Sequence, residues 1–513
     1  MKRSILSFLF LGFCLIAQGQ VDIVIRDKDS CSRVISKEIY GQFAEHLGSC
    51  IYGGIWVGVD SAIPNEDGYR KDVLQALKNL QIPVLRWPGG CFADDYHWTD
   101  GIGPLKDRPA ISNGTWGATI EDNSFGTHEF LNLCEKLGCD AYVSGNVGSG
   151  SVEELSKWVE YMTSDTQSDI ANLRRKNGRE KPWRVKYLGI GNEAWGCGGN
   201  MTPDYYSMLY RRYVTYVREW SGNELYLIAS GANSSDVYWT ETLLKNIKHM
   251  TDGMGVHFYA VRDWSAKGSA TSFTDREYAL NLAKAVEIES IIRSHIETMD
   301  KYDPDHKVDL LIDEWGNWFD VEPGTNPGHL FQQNTMRDAI TAALSLNIFH
   351  KYCDRIKMTN IAQMVNVLQA MILSSPDGRM VLTPTYHVYE MYKLFQDAEY
   401  VEVENDYPLQ TVSGESYPGL SVTAARRDGN LRVAIVNTSL KKDIPLRISC
   451  TYEGTDIKAR ILTSDNVRDC NTFDSPQRVA PHNFFSYKKK DGKIELTIPA
   501  KSIITLEFVQ KLL

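Results

Sequence analysis

Along most of the chain, apolar runs of five to nine residues alternate with longer stretches in which apolar positions recur every three or four residues. The runs are 39–45, 83–87, 141–146, 185–193, 225–230, 253–259, 308–314 and 358–366, and they read as strands. The stretches 70–80, 127–137, 152–163, 203–220, 239–249, 275–299 and 332–350 carry helical spacing with charge on one face. Their starts are marked. Ser151 with Glu154 and Thr274 with Glu277 spell capping boxes, and Thr202-Pro203 puts proline at the first helical position. Eight strand–helix units between 36 and 385 predict a parallel sheet closed into a (β/α)8 TIM barrel, an α/β fold. An open doubly wound sheet is the alternative, but no glycine-rich phosphate loop follows the first strand.

From about residue 386 the period falls to two. The segments 420–425, 431–437, 446–452, 458–463, 493–498 and 502–509 alternate apolar and polar positions, with turns at Asp428-Gly429-Asn430 and Asp491-Gly492. That grammar predicts an all-β sandwich over 386–513. The stretch 20–35 contains one more strand-like segment, expected to join the C-terminal sheet. No repeat or low-complexity linker separates the two parts, so they are expected to pack tightly.

Composition narrows the class only a little. The 513 residues are 43% hydrophobic and 23% charged, ordinary values for a soluble globular protein with a large core. A net charge of −10 argues against nucleic acid or an anionic membrane surface as partner. Met1-Lys2-Arg3, an apolar stretch at 5–17 and Ala17-Gln18-Gly19 have the form of a signal peptide over 1–19. The run is too short to span a bilayer. Export to the periplasm or beyond is therefore expected, without a membrane span. Ten cysteines include Cys14 in that leader; among the other nine, Cys450 and Cys470 form the most plausible local disulfide. Aromatics make up 11%, with 26 Tyr and 12 Trp, which serves either core packing or stacking against sugar rings.

In a barrel of this kind the chemistry collects at the C-terminal ends of the strands. Those ends carry Glu45-His46, Arg86, Asn146, Asn192-Glu193, His257 with Tyr259, Asp313-Glu314, and Gln363 with Asn366. Nearly every end offers a group that can hydrogen-bond a polyol. Glu193 follows the fourth strand, and Glu314 follows the seventh, 121 residues further on. Two carboxyl groups facing one pocket are what glycoside hydrolysis needs, one to protonate the leaving oxygen and one to attack or stabilise the anomeric carbon. A buried salt bridge between Glu193 and Arg86 is the plainer reading. Asp313 competes with Glu314, since alternation along a strand turns only one of them inward; Glu314, followed directly by Trp315, is taken as that one.

The blocks GQFAEHLGSCIYGGIW, LRWPGGCFADDYHW, SFGTHEFLNLCEKLG, YLGIGNEAWGCGG, GVHFY, LLIDEWGNWF and NIAQMVNVLQAMI resemble, in order, those of the glycoside hydrolase family 51 α-L-arabinofuranosidases. The resemblance covers roughly 36–385, and the C-terminal β region fits the family's companion sandwich. It implies a retaining exo-enzyme that removes terminal α-L-arabinofuranosyl residues from arabinose-containing plant oligo- or polysaccharides. Glu193 would be the acid/base and Glu314 the nucleophile. Glu45, Asn192 and Gln363 would hold sugar hydroxyls; Tyr259 and Arg86 would attend the nucleophile, His257 the acid/base, and Trp318 would wall the pocket. Cys91 stands where many members carry an asparagine that contacts the sugar, and a thiol is a poor donor. Cys197, in the loop after Glu193, could pair with it across the pocket. Family analogy also suggests a homo-oligomer. An endo-β-1,4-glucanase or β-xylosidase on the same barrel is the alternative activity, and a non-catalytic carbohydrate-binding protein is the alternative class. No metal and no organic cofactor is implied, because the histidines lack ligand spacing and no nucleotide motif is present.

Overall fold

The computed structural model describes residues 20–26, 33–450, 456–490 and 493–509; the expected leader at 1–19 lies outside them. Eight parallel strands close a barrel in strict chain order: β1 (Gly41–Phe43), β2 (Val84–Trp87), β3 (Asp140–Gly145), β4 (Tyr187–Ile190), β5 (Tyr226–Asn233), β6 (Gly253–Tyr259), β7 (Asp309–Gly316) and β8 (Ile356–Ile361). Closure is made by Asn360 and Ile361 of β8 pairing with Gly41 and Gln42 of β1.

Alternation along each strand builds two apolar layers. On one face Val84, Tyr142, Tyr187, Ile228, Leu311 and Met358 meet inside the barrel and plug its lower half. On the other face Leu85, Val143, Leu188 and Ile312 join the core shared with the surrounding helices, all of them buried. Each such aliphatic side chain contributes roughly 1.5–3 kcal/mol by leaving water. The plug confines any polar site to the upper end of the barrel.

The helices differ from their sequence reading in instructive places. Thr274 and Glu277 form the full reciprocal box. Ser151 accepts from Glu154 N, but Glu154 turns its carboxylate to His97 Nδ1 at 2.9 Å, so that box stays half made. The last barrel helix, Pro384–Tyr392, straddles the expected boundary at 385. It is rich in tyrosine and buried nearly all round, so it shows no polar face by which to be recognised. The helix expected to start at 332 begins instead at Met336, where Thr335 and Asp338 cap it reciprocally.

The C-terminal region is a sandwich. A seven-stranded sheet runs from Val34–Ile35 through Ala398–Val401, Leu420–Arg427, Asn430–Asn437, Ser502–Val509 and Asp456–Thr463 to His482–Asn483. A five-stranded sheet faces it across a separate core that includes Ile23, Ile435, Leu446 and Leu506. Val21–Ile25 sits inside that second sheet, parallel to Ile444–Ser449. Ala425, Ala434, Val436 and Ile503 on the outer face of the larger sheet belong to the barrel's own core. The helix Met336–Lys351 lies between the two parts, with residues 336–350 all buried. The Cys450–Cys470 disulfide is not made. Cys470 carries a free thiol beside Thr335 at the barrel, whereas Cys450 follows a strand of the opposite sheet.

Asp303 ends the helix before β7 and accepts from Val308 N at 2.9 Å and from Arg355 Nη2 at 3.1 Å, tying the entries of β7 and β8 together. Both side chains of that pair are under 5% exposed. Asp303→Ala strands a buried guanidinium, so we expect a loss of about 3–5 kcal/mol, read as a lower urea midpoint with unchanged slope.

Candidate active site

The polar layer above the plug is organised by Arg86. It points the same way as Val84 of the plug, two residues along β2, and is 1% exposed. Its guanidinium lies 4.4 Å from the Phe43 ring and 5.6 Å from the Tyr142 ring. Nη1 donates to the Asp313 carbonyl at 2.7 Å and to Glu314 Oε2 at 3.1 Å, and Nη2 donates to Asn192 Oδ1.

β7 carries one extra residue near its upper end. Gly255 and His257 of β6 pair with Leu311 and Glu314, while Thr359 and Ile361 of β8 pair with Ile312 and Trp315. Such a bulge breaks alternation. Asp313 and Glu314 therefore both reach the interior, where regular pairing would have allowed only one. Asp313 accepts from Tyr142 O–H at 2.8 Å and faces His257 Nε2 at 3.3 Å. Glu314 accepts from Tyr259 O–H at 2.6 Å and lies 3.4 Å from His257 Nδ1. His257 also meets Glu193 Oε1, at 2.9 Å from Nδ1. One imidazole thus touches three carboxyl groups.

Glu193 stands in a turn rather than on the strand. β4 ends at Ile190, Gly191 has φ +85°, and Glu193 itself has φ +40°. A side chain at positive φ is strained and persists only where the surroundings hold it. Here Ala194 N donates to Ser230 Oγ at 3.0 Å, Trp195 Nε1 to Gly231 O at 3.1 Å, and Asn192 N to Asp94 Oδ2 at 3.0 Å. Cys91 and Cys197 form a disulfide that ties the loop after β2 to the loop after β4, with Cα atoms 5.5 Å apart. Its sulfurs lie 3.5 and 3.9 Å from Glu193 Oε2. Neither carries a proton, so these are packing contacts, and of the two states the sequence left open for Cys91, a thiol or a pair with Cys197, the structure has the pair.

Glu45 closes the far end and is 2% exposed. It accepts from Trp116 Nε1 at 2.9 Å, Gln363 Nε2 at 2.7 Å and Phe92 N at 3.2 Å. Gly90 is required beside it, since a Cβ there would come within 2.5 Å of the carboxylate. Burial, reinforced by the Glu314 charge, pushes Glu45 up to about 7. Burial also raises Glu193, against the opposing hydrogen bond from His257. For His257 burial disfavours the cation, but the surrounding carboxylates win and raise it to about 10. His257 in turn keeps Asp313 below its usual range despite burial.

Above these groups opens a cavity of about 400 Å³. Eight of the ten residues singled out from sequence line it: Glu45, Cys91, Glu193, His257, Tyr259, Glu314, Trp318 and Gln363. Arg86 and Asn192 stand just behind, bonded to each other. Asp94 gave no sequence signal because it ends no barrel strand; burial raises it to about 7 although it accepts three backbone N–H groups. Trp116, Trp195 and Trp264 also line the cavity, and each sits in a turn-rich loop, the one trait that could have marked them. Glu193, His257 and Glu314 bring ligand-type atoms within 4.8 Å of one another. A cation there would have to displace the His257 proton, which the same carboxylates hold.

Two family models match the chain: one described as Alpha-L-arabinofuranosidase C-terminal domain over 313–502, the other as Alpha-L-arabinofuranosidase 1 domain over 76–277. A Bacteroides ovatus protein named intracellular exo-alpha-L-arabinofuranosidase is 54% identical, covering 99% of this chain and 100% of its own length. The GH51 arabinofuranosidase of Xanthomonas axonopodis pv. citri superposes with a TM-score of 0.93 at 42% identity, covering 96% of this chain and 100% of its own. The Thermotoga maritima α-L-arabinofuranosidase, solved as an arabinose complex, gives 0.83 at 28% identity over 95% and 99%. The Bacteroides relative overturns the expectation of export, because it aligns along nearly the whole chain and is named intracellular. The expectation rested on a basic start, a short apolar run and the small-x-small form of Ala17-Gln18-Gly19, a local pattern of composition that carries no geometric requirement specific to secretion. Among the described residues no helix is long and apolar enough to cross a membrane.

His257 rises from its ordinary 6.5 to about 10, so the folded protein keeps a proton that the unfolded chain has shed. Its stabilisation is complete below pH 6.5 and fades as pH climbs toward 10. We expect His257→Asn to be less stable than the parent at pH 6.5 and the gap to narrow by pH 9, in denaturant titrations at matched ionic strength. A gap that stays constant with pH would refute the cationic imidazole.

Proposed function

The chain belongs to the glycoside hydrolase family 51 α-L-arabinofuranosidases, and on that premise we propose that it removes terminal non-reducing α-L-arabinofuranosyl residues from arabinose-containing plant oligo- or polysaccharides by double displacement. The observation that carries the mechanism is the spacing of the two carboxyl groups: an oxygen of Glu193 lies within 4.8 Å of an oxygen of Glu314. Retaining glycosidases hold theirs about 5–5.5 Å apart, whereas inverting ones need roughly 6.5–9.5 Å to admit a water.

Glu314 is the nucleophile. Tyr259 O–H and Arg86 Nη1 bond its two oxygens and aim it at the anomeric carbon. Glu193 is the acid/base. His257 occupies its Oε1, so the transferable proton sits on Oε2. In the first step Glu314 bonds to the anomeric carbon while the glycosidic bond breaks and Glu193 protonates the departing oxygen. In the second, the Glu193 carboxylate takes a proton from water, whose oxygen attacks the same carbon and frees Glu314. His257, cationic through neutral pH, lies between the two carboxyls and offsets their repulsion.

Glu45, Gln363 and Trp116 close the inner end and supply acceptors and donors for furanose hydroxyls. Asn192, whose Nδ2 lies 3.9 Å from Cys197 Sγ just behind the cavity, is assigned the 2-hydroxyl. A pocket closed at one end supports exo-action on a chain terminus and disfavours the open cleft of an endo-glucanase.

Glu314→Ala should abolish turnover on every arabinoside. Glu193→Ala should lose about 10²–10⁴-fold on arabino-oligosaccharides but much less on an aryl arabinoside, whose leaving group needs no proton. Proton NMR during the first minutes of reaction should find arabinose released with the substrate's own anomeric configuration. Initial release of the opposite anomer would overturn double displacement.

A further inference from the structure

We infer that Trp264 is the platform on which the sugar of the leaving group stacks, and that it sets the preference for oligosaccharide over simple arabinosides. The inference rests on the arabinofuranosidase reading above and extends it to the residue outside the bond that is cut.

Three rings form a file leading out of the pocket. Tyr259 bonds Glu314 at 2.6 Å; Trp318 stands edge-to-face to Tyr259 at 5.0 Å and 81°; Trp264 stands edge-to-face to Trp318 at 5.3 Å and 81°. Trp264 lines the cavity yet is 59% exposed. The inner end of that cavity is shut by Glu45 and Gln363, which are 2% and 1% exposed. A sugar attached to the bound furanose must therefore extend outward, toward the open side where Trp264 stands. The exposed indole there offers an apolar plane to the C–H side of such a ring.

The loop that carries the indole is also braced, which lowers the cost of ordering it around a ligand. Asp263 Oδ1 accepts from Ser265 N at 2.8 Å and Ser265 Oγ at 2.6 Å, folding the loop into a tight turn around Trp264. Gly268 N donates to Asp320 Oδ2 at 3.1 Å, and Asp320 N donates back to Gly268 O at 2.9 Å, closing the loop's far side. Its near side is gripped from the sandwich. Arg262 pairs with Glu415, at the tip of the hairpin formed by Leu409–Val412 and Glu415–Pro418. Arg276 Nη2 donates to Ser413 Oγ of the same tip at 2.9 Å. The C-terminal domain thereby reaches the substrate rim without entering the pocket.

Trp264→Ala and Trp264→Phe in the full chain test this on two substrates: a linear arabinotriose, and methyl α-L-arabinofuranoside, whose leaving group has no ring to stack. Trp264→Ala should lower kcat/KM on arabinotriose about tenfold, through KM, the size expected for losing one sugar-face contact. It should leave methyl arabinofuranoside hydrolysis and the affinity for free L-arabinose, measured by calorimetry, unchanged. Trp264→Phe should keep most of the parent's KM on arabinotriose. Equal losses on both substrates would make Trp264 part of the furanose pocket, and no loss on either would remove it from recognition; both overturn the inference. If the parent enzyme cleaves neither substrate, the arabinofuranosidase reading itself fails.

Discussion

Carboxyl groups cannot be gathered inside a barrel unless something offsets their repulsion and the water they lose. Here that is done by two buried cations that meet at Glu314 Oε2. Arg86 reaches up from the plug to Glu314 and Asn192, and His257 reaches across to Glu193, Asp313 and Glu314. The rest of the site is arranged around that balance. Tyr142 and Tyr259 supply the remaining donors, and Glu45, bonded to Trp116, Gln363 and Phe92 N, is raised by burial to about 7. The two groups assigned to chemistry accordingly have different surroundings: Glu314 between a guanidinium and a phenol, Glu193 between an imidazolium and a disulfide.

The frame that holds this cluster uses backbone irregularity as well as regular strands. Without the extra residue in β7, Asp313 and Glu314 would face opposite sides of the sheet, and His257 would have one of them as neighbour. With it, one cation serves both. The positive φ of Glu193 has the same character. The strained turn, pinned by Ser230 and Asp94, holds the carboxyl between His257 and the Cys91–Cys197 sulfurs. The Cys91–Cys197 link closes the loops on either side of that turn.

The sandwich is packed against the barrel over the helix Met336–Lys351 and the outer face of its larger sheet. This shared core explains why no linker separates the two parts in the sequence. It also brings the 409–418 hairpin to the loop that carries Trp264, so a domain with no residue in the pocket still shapes its rim.

The barrel was legible from the sequence because its signal is periodic: every buried strand is a continuous apolar run, and the polar residues that end those runs fall at one end of the barrel by topology alone. Six of the eight candidate side chains that line the cavity end such runs; Cys91 and Trp318 were named from the resemblance alone. What the sequence left undecided were contacts between residues far apart in the chain. Asp94 ends no strand, Tyr142 looks like ordinary core, and the Cys91–Cys197 pairing was one option among several. Alternation allowed only one of Asp313 and Glu314 to face inward; Glu314 lines the cavity, but both reach the interior, since a bulge is a property of strand pairing that no single strand encodes. The Pro384–Tyr392 helix was missed because a helix buried all round has no amphipathic pattern. Local periodicity determined which residues stand at the strand ends; only the closed tertiary structure decided which of them share a charge, because repulsion and its compensation act across space rather than along the chain.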